Sequence, residues 1–349
     1  MKLFVLVLIF LLLIILINTV NCIVTSTKSL PTIIQTGVSK RLVYVIPFID
    51  NDAHQVLETI KNWSKYNPCQ YSTETMNNNK RNNNNVNNNI ISPIDLVLYY
   101  NKKWKESAIR HDFEVNITNA LQYSNSMHCF NEIKYISASL TIYEDIYPAG
   151  PSYMFYKIFL KHIEHFSGIY DYMFWAEHDV HPIRNGWLDI LIQEITFNHD
   201  FYWKGSIHRG ILLDRTVTKY HKSNSNAWIG HINGNGLYKL NDVLFNELIR
   251  ETSIIYPPSV GMKNSMDIAL WKNVVTNYMS NWKQYQEYAH KIIYTDLIQS
   301  HGRAFSIEEL KQFRLKYPNT WYIHGSAQSA GNTAAQLMRK QHKSRKKLD

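Results

Sequence analysis

Several short motifs that identify common protein classes are missing from this sequence. Its 349 residues include three cysteines, which form no CxxC pair and no Cys/His zinc spacing, and this excludes a zinc finger or ribbon. No GxGxxG run is present, so the dinucleotide-binding fingerprint is missing. No internal repeat is visible either, which excludes a solenoid or propeller. Hydrophobic residues nevertheless make up 45% of the chain, enough to bury a large core.

The net charge of +9 is concentrated at one end of the chain. The segment 339–349 holds six basic residues and one acidic residue, so it contributes +5 and leaves +4 on the rest. A short basic tail of this kind is typical of a solvated terminus. The remainder shows no interleaving of basic and aromatic residues of the kind found in nucleic-acid motifs, so no nucleic-acid partner is expected.

The N-terminus predicts entry into the secretory pathway. Residues 3–17 are all apolar, and residues 1–24 read either as a signal-anchor or as a cleaved signal peptide. We expect a type II protein of the Golgi or endoplasmic reticulum membrane with a lumenal domain, or a secreted protein if the segment is cleaved. The sequons at Asn62 and Asn116 are compatible with a lumenal domain. There Cys69 and Cys129 can form a disulfide, or remain two buried thiols.

The rest of the chain divides by composition. Residues 25–40 are rich in Ser, Thr and Lys and predict a stem, and residues 41–330 predict one large catalytic domain. Within it, the asparagine-rich stretch 76–90 predicts a disordered insertion, because it offers no apolar surface to bury. Residues 331–349 form the basic tail.

Apolar runs alternate with helical patterns in this domain. Strands are predicted at 42–46, 94–100, 133–137 and 172–176, where the residues form short apolar or β-branched runs. Helices are predicted after a cap at Asp52, at 151–166 with Gly168 as its C-cap, after a cap at Asn185, and after a capping box formed by Ser306 and Glu309. The alternation predicts an α/β fold with an open, mostly parallel sheet flanked by helices.

The strongest candidate site follows the strand at 172–176. Glu177 and Asp179 lie at its carboxyl end, where open α/β sheets bind their ligands. Buried carboxylates need a cation or hydrogen bonds, and their oxygens suit Mg²⁺ or Mn²⁺, which can neutralise a departing diphosphate. Two alternatives stay open: a carboxylate that caps the next helix, and a hydrolase site that includes nitrogen from His178 and His181.

Later segments supply further polar groups. Lys204 and Arg209 can contact phosphate or remain solvated. The segment 231–238 contains two glycines and predicts a tight polar loop whose backbone donors can face a ligand. Asp267, at the start of an apolar helical stretch, can serve as a general base or as a helix cap. His324 ends a late strand and can complete a metal shell or be structural.

Three motifs occur in order: Glu177-His178-Asp179-Val180-His181-Pro182, Trp203-Lys204-Gly205-Ser206 and His231-Ile232-Asn233-Gly234-Asn235. With Asp267 and His324, this set resembles the GT-A glycosyltransferases, most of all a group found in protists and algae. The resemblance covers roughly residues 41–326 and is strongest from residue 170 onward.

The resemblance implies a GT-A-like sheet and a role for each matching residue. Glu177 and Asp179 would be the DxD-type acids that hold Mn²⁺ or Mg²⁺, with His324 as a further metal ligand, and Asp267 would be the base of an inverting enzyme. The residues expected to contact the donor are Glu177, Gly234, Asn235 and Gly236, together with Lys204 as the candidate phosphate ligand.

The expected function is therefore the transfer of a sugar from a nucleoside-diphosphate sugar to a glycan, protein or lipid acceptor. A second hypothesis is a metal-dependent hydrolase that uses His178, Asp179 and His181. A third is a non-catalytic binding module in which the acidic pair caps a helix or binds calcium.

Overall fold

The chain folds into an open α/β structure in which helices flank the strands of a sheet. The computed structural model describes residues 40–69, 94–147, 149–197, 199–207, 231–258, 265–280, 282–301 and 305–325. The strands are β1 (Leu42–Phe48), β2 (Ile94–Tyr100), β3 (Ile133–Ser137), β4 (Tyr172–Trp175), β5 (Val180–Pro182), β6 (Trp203–Ile207), β7 (Ile232–Lys239), β8 (Ile292–Tyr294), β9 (Ile298–Ser300) and β10 (Tyr322–His324). The α-helices are α1 (Ala53–Asn62), α2 (Arg110–Tyr123), α3 (Ala149–Leu160), α4 (Asp189–Phe197), α5 (Val243–Ile255), α6 (Met266–Ser280), α7 (Trp282–Tyr288) and α8 (Ile307–Lys316).

The described strands form two sheets. The central one has seven strands in the order β3-β2-β1-β4-β7-β6-β8, and a small sheet has the order β5-β10-β9. In the central sheet β7 runs antiparallel to both of its neighbours, while the other pairings are parallel. The predicted open, mostly parallel α/β sheet is therefore confirmed. A single reversed strand also brings its amino end to the edge where parallel β4 ends.

Both faces of the central sheet are covered, which explains why its inner strands are apolar throughout. Alternate residues of β1 point to opposite faces: Leu42, Tyr44 and Ile46 contribute to one core, while Val43 and Val45 contribute to the other. The first core packs against α1, α2 and α4, and the second against α3, α5 and α6. A continuous apolar run is the pattern expected of a strand buried on both sides.

Two of the predicted helices have different limits in the structure. The helix expected at 151–166 ends at Leu160, because the backbone N–H groups of Lys161 and His162 both bond the carbonyl of Lys157 and close its last turn. A separate 3₁₀ turn, Ile163–His165, follows it, and Gly168 donates to the carbonyl of Ile163 rather than capping the long helix.

The second difference concerns Asn185. Its side-chain oxygen accepts the backbone N–H of Asn67 at 2.9 Å, so it ties two loops together and does not cap a helix. Helix α4 begins only at Asp189. The predicted capping box of α8 is confirmed, since Ser306 and Glu309 exchange the two expected hydrogen bonds.

Cys69 and Cys129 are joined by a disulfide, with their Cα atoms 5.9 Å apart. Both cysteines are buried in the core beside α1 and α2. The bridge ties the loop that follows α1 to the turn that follows α2. Of the two possibilities that the sequence leaves open, the structure therefore has the disulfide.

Several predicted segments lie outside the described residues. These are the N-terminal apolar segment, all of the stem except Lys40, the asparagine-rich insertion, the basic tail and Arg209. Within the part of the chain that the structure describes, no helix combines the length and apolar character needed to cross a bilayer.

Asp95 is a buried acid at the amino end of β2, on the opposite edge of the sheet from the candidate site. Its carboxylate accepts hydrogen bonds from Tyr170, Asn131, Lys134 and Arg41 at 2.6 to 3.3 Å. Burial alone would raise the pKa of Asp95, but these donors together lower it below its ordinary value. A group whose pKa is lowered on folding stabilises the protein above its unfolded pKa of about 4, and this stability is lost as the pH falls through the folded pKa.

We expect the Asp95→Asn substitution to lower the free energy of unfolding at pH 7 by about 3 kcal/mol, because it leaves buried donors without their charged acceptor. The variant should also lose less stability than the wild type when the pH falls below about 4. Urea denaturation at several pH values measures both effects. Asp112→Asn, an exposed acid on α2, serves as the control. An Asp95→Asn variant as stable as this control would contradict the prediction.

Candidate metal and donor site

Strand pairing brings the predicted metal ligands together from distant parts of the sequence. Glu177 and Asp179 occupy the turn between β4 and β5, at the carboxyl end of β4. In the small sheet, His324 of β10 pairs with Val180 of β5 in antiparallel register, so its side chain lies beside Asp179. The pairing of β10 with β5 therefore holds His324 in a fixed position beside the two acids.

The three side chains form a compact cluster of possible metal ligands. The Nε2 atom of His324 lies 3.2 Å from Oε2 of Glu177 and 3.4 Å from Oδ1 of Asp179. One ligand atom from each residue lies within 4.8 Å of the other two. Two carboxylates and one imidazole fit a small divalent cation such as Mn²⁺ or Mg²⁺. Their donor set is therefore compatible with the metal that the sequence predicts.

Charges in the cluster are strongly coupled. Burial alone would raise the pKa of Asp179, but the charge and hydrogen bond of His324 lower it well below its ordinary value. Burial alone would lower the pKa of His324, but Asp179 and then Glu177 raise it well above its ordinary value. Each of these groups therefore favours the charged form of the other. Protons compete with a divalent cation for the same ligand atoms, so metal affinity should increase with pH.

Two polar residues orient the ligands. The Nδ1 atom of His324 lies 3.0 Å from the hydroxyl of Ser300, at the end of β9, which leaves Nε2 directed at the acids. Asn235 of β7 accepts the backbone N–H of Glu177 at 2.7 Å and donates to its carboxylate at 3.1 Å. Partners of this kind hold metal ligands in place and tune their affinity.

We expect the Asn235→Leu substitution to weaken Mn²⁺ binding about 10- to 100-fold, the usual effect of losing such a supporting partner. Leucine has a similar size but can neither donate to the carboxylate of Glu177 nor accept its backbone N–H. Calorimetric titration with Mn²⁺ measures the change, and Asn119→Leu, exposed on α2, is the control. An unchanged Mn²⁺ affinity in a folded Asn235→Leu protein would contradict this role.

The segment predicted as a tight glycine loop is a strand, and this part of the prediction is wrong. Asn233 to Gly236 lie inside β7, which pairs with β6 on one side and, from Gly236 onward, with β4 on the other. The glycine at 236 allows close approach of two strands: a Cβ atom there would lie 2.6 Å from the carbonyl oxygen of Lys204. Gly234 and Asn235 still reach the site, because antiparallel β7 starts where β4 ends: Gly236 pairs with Trp175.

Asp267 lies at the start of α6 and is tightly bonded. Its carboxylate accepts the backbone N–H of Gly234 at 3.2 Å and the hydroxyl of Ser265 at 2.7 Å, and lies 3.5 Å from Nε2 of His231. Burial alone would raise the pKa of Asp267, but the hydrogen bond and charge of His231 lower it. The role of general base stays a prediction, and these contacts make Asp267 a weaker base and an anchor for Gly234.

Lys204 has a different environment from the one expected of a phosphate ligand. It is buried on β6, and its Nζ atom donates to the carboxylate of Glu194 on α4 at 2.7 Å. The ammonium also lies over the ring of Phe201. The structure therefore gives Lys204 an ion pair inside the protein rather than a contact with the metal cluster, and phosphate binding by Lys204 stays a prediction.

Asp52 is a site residue that the sequence interpretation missed. It occupies the N-cap position of α1, as predicted, but its side chain makes no capping hydrogen bond. Burial raises the pKa of Asp52, and the negative charges of Glu177 and Asp179 raise it further, so its carboxylate belongs to the same electrostatic environment. An acid just beyond the carboxyl end of β1 is the same signal that identified Asp179, and it was available in the sequence.

Comparisons with known proteins give distant similarities. No protein-family model and no curated protein matches the chain. Among solved structures, it is similar to the bifunctional glycosyltransferase WbbM in its apo form, with 12% identity and a TM-score of 0.43, over 88% of this chain and 49% of that one. The chain thus spans about half the length of WbbM.

Two further solved structures are similar to this chain. Apo mouse xyloside xylosyltransferase 1 has 9% identity and a TM-score of 0.42, covering 83% of this chain and 99% of that one. The glycosyltransferase GlyE of Streptococcus pneumoniae TIGR4 has 12% identity and a TM-score of 0.39, covering 87% and 60%. At such identities, function has to be argued from the residues of the site.

Proposed function

We propose that this protein is a metal-dependent glycosyltransferase that uses a nucleoside-diphosphate sugar as donor. The observation that carries the proposal is the convergence of Glu177, Asp179 and His324 at the carboxyl edge of the central sheet. This is the edge where open α/β sheets bind ligands. A cluster that combines two acids with one histidine suits a cation that in turn binds a diphosphate.

The proposed reaction transfers the sugar between two oxygen atoms. The bond between the anomeric carbon and the diphosphate oxygen breaks, and a bond from that carbon to an acceptor hydroxyl oxygen forms. Mn²⁺ or Mg²⁺, held by Glu177, Asp179 and His324, would stabilise the negative charge of the leaving diphosphate. The hydroxyl proton passes to a base, for which Asp267 stays the candidate.

The chain's own residues prepare this site. Asn235 fixes both the backbone and the side chain of Glu177, and Ser300 fixes the ring of His324. Asp267 holds the backbone N–H of Gly234, which keeps the amino end of β7 against α6. Preorganised partners of this kind reduce the reorganisation that the transition state requires.

We propose further that the enzyme works in the lumen of the Golgi or endoplasmic reticulum as a type II protein, with a glycan, protein or lipid as acceptor. The apolar run 3–17 supports membrane targeting. The disulfide between Cys69 and Cys129 supports an oxidising compartment. Asn116 of the second sequon is exposed on α2, where a glycan can be attached.

The alternative of a nitrogen-rich hydrolase site receives less support from the geometry. The ligand atoms that converge belong to Glu177, Asp179 and His324, not to His178 and His181. The described cluster is therefore richer in oxygen than in nitrogen, which favours Mn²⁺ or Mg²⁺ over zinc.

A panel of nucleotide sugars tests the proposal. The full-length protein is incubated with each donor in Mn²⁺, in Mg²⁺ and in EDTA, and release of nucleoside diphosphate is measured. We expect slow hydrolysis of at least one donor that requires the metal, and thermal stabilisation by the matching nucleoside diphosphate only when metal is present. Hydrolysis that persists in EDTA, or no nucleotide binding in the presence of metal, would contradict the proposal.

A further inference from the structure

The turn 141–147, between β3 and α3, exposes its apolar side chains. The exposed fractions are 79% for Ile142, 81% for Tyr143, 40% for Ile146 and 66% for Tyr147. Four large apolar residues within six positions form a concentrated patch, and such patches on soluble domains usually mark a binding surface. We call these four residues the 142–147 patch.

The acidic residues of the same turn face the protein. Glu144 accepts a hydrogen bond from Lys157 at 2.9 Å and another from the backbone N–H of Thr141 at 2.8 Å. Asp145 accepts from the side-chain nitrogen of Asn101 at 2.7 Å through each carboxylate oxygen. The usual arrangement of polar residues outside and apolar residues inside is reversed here. These bonds hold the turn rigidly with its apolar side outward.

The patch and the candidate metal site share one edge of the central sheet. Asn101 lies directly after β2, so the turn is anchored at the same sheet edge as Glu177, with β1 between β2 and β4. Helix α3 begins at Ala149, two residues after Tyr147, and its first turn contacts the region of Asp267.

Ser152 connects α3 to the region of Asp267. Its hydroxyl accepts the backbone N–H of Met266 at 2.9 Å, which ties the first turn of α3 to the residue before Asp267. The first turn of α3 is therefore held in the Asp267 region. A molecule seated on the patch would lie at the sheet edge that carries the proposed donor site.

We propose that the 142–147 patch is the platform that binds the acceptor, and that the acceptor presents a carbohydrate there. This inference rests on the proposed glycosyltransferase function. Tyrosine rings offer flat apolar faces on which the C–H face of a sugar ring can stack, and their hydroxyl groups can bond sugar hydroxyls. The adjoining isoleucines exclude water from that contact. Binding energy gained here would position the attacking hydroxyl at the donor.

Direct binding to methyl glycosides tests the platform, because a methyl aglycone cannot itself stack on the tyrosines. Saturation-transfer NMR is recorded on the full-length protein with methyl glycosides of common hexoses, pentoses and N-acetylhexosamines. We expect at least one glycoside to receive magnetisation through its ring C–H groups. The Tyr143→Ala/Tyr147→Ala variant should bind that glycoside about tenfold more weakly, the ratio that corresponds to a stacking contact of about 1.4 kcal/mol.

The matched control is Tyr123→Ala, which removes a tyrosine that is 72% exposed on α2. Its affinity for the glycoside should equal that of the wild type. In steady-state transfer assays, the double variant should show a larger increase in acceptor KM than in nucleotide-sugar KM, whereas general loss of structure would affect both.

Three results would overturn the inference. These are a wild type that binds no glycoside, a double variant that binds as well as the wild type, and a double variant that loses only vesicle binding or self-association. A fourth result would contradict the proposed function without contradicting this inference. A protein that binds glycosides through the patch but hydrolyses no nucleotide sugar would contradict the proposed function and leave the patch as a glycan-binding surface.

Discussion

Replacing Asp179 with alanine is expected to reduce metal-dependent hydrolysis of the donor about a thousandfold, because the cation that stabilises the leaving diphosphate loses one of its two carboxylate ligands. The carboxylate of Asp179 lies 3.4 Å from Nε2 of His324, which itself lies 3.2 Å from Glu177. Removing the Asp179 carboxylate leaves only Glu177 and His324 in the cluster. The remaining acid and imidazole offer too few ligands for a small divalent cation.

Asp179→Asn separates charge from packing. It keeps the shape of the side chain but removes the negative charge that raises the pKa of His324. We expect nearly the same loss of hydrolysis as with alanine, together with weaker Mn²⁺ binding by calorimetry. Asp112→Ala, an exposed acid on α2, is the control, and circular dichroism checks that each variant is folded. Activity that survives Asp179→Ala unchanged would end the case for this metal site.

The second large effect is expected from the disulfide. A Cys69→Ala/Cys129→Ala variant should lose about 4 kcal/mol of unfolding free energy, because the bond joins residues separated by 60 positions and restricts the unfolded chain. The closed loop includes β2 and α2, which contribute to the core beside α1. Urea denaturation of the oxidised wild type and the variant measures the difference.

Two comparisons make this prediction specific. Cys22→Ala removes the third cysteine and should leave the unfolding midpoint unchanged. Adding a dithiol reductant to the wild type should lower its midpoint toward that of the double variant, while the variant should not respond. Equal midpoints of the wild type with and without reductant would contradict a stabilising disulfide, and with it one support for a lumenal location.

The inner strands and the acidic pair were predictable because their signals are local. A run such as Leu42–Phe48 is apolar at every position, and only a strand covered on both faces buries all of them. Glu177 follows such a run directly, so its place at the sheet edge follows from chain order alone. The capping box at Ser306 is likewise contained in four consecutive residues.

Other features could not be predicted because their causes lie elsewhere in the chain. Asn233 to Gly236 have low strand propensity, and they form part of β7 because β6 pairs with Ile232 before them and with Gly236 at their end, while β4 pairs with β7 from Gly236 onward. Lys204 carries no mark in the sequence that distinguishes a phosphate contact from a buried ion pair. Glu194, its partner, comes from a helix that precedes it.

Periodicity and chain order are properties of neighbouring residues, and they were sufficient to predict an α/β chain with two carboxylates at the end of a buried strand. Which side chains join those acids depends on contacts between distant segments. Register between β5 and β10 places His324 beside Asp179, and the reversal of β7 places Asn235 against Glu177. Both contacts depend on strand pairing between distant segments, which is selected by the packing of the whole core.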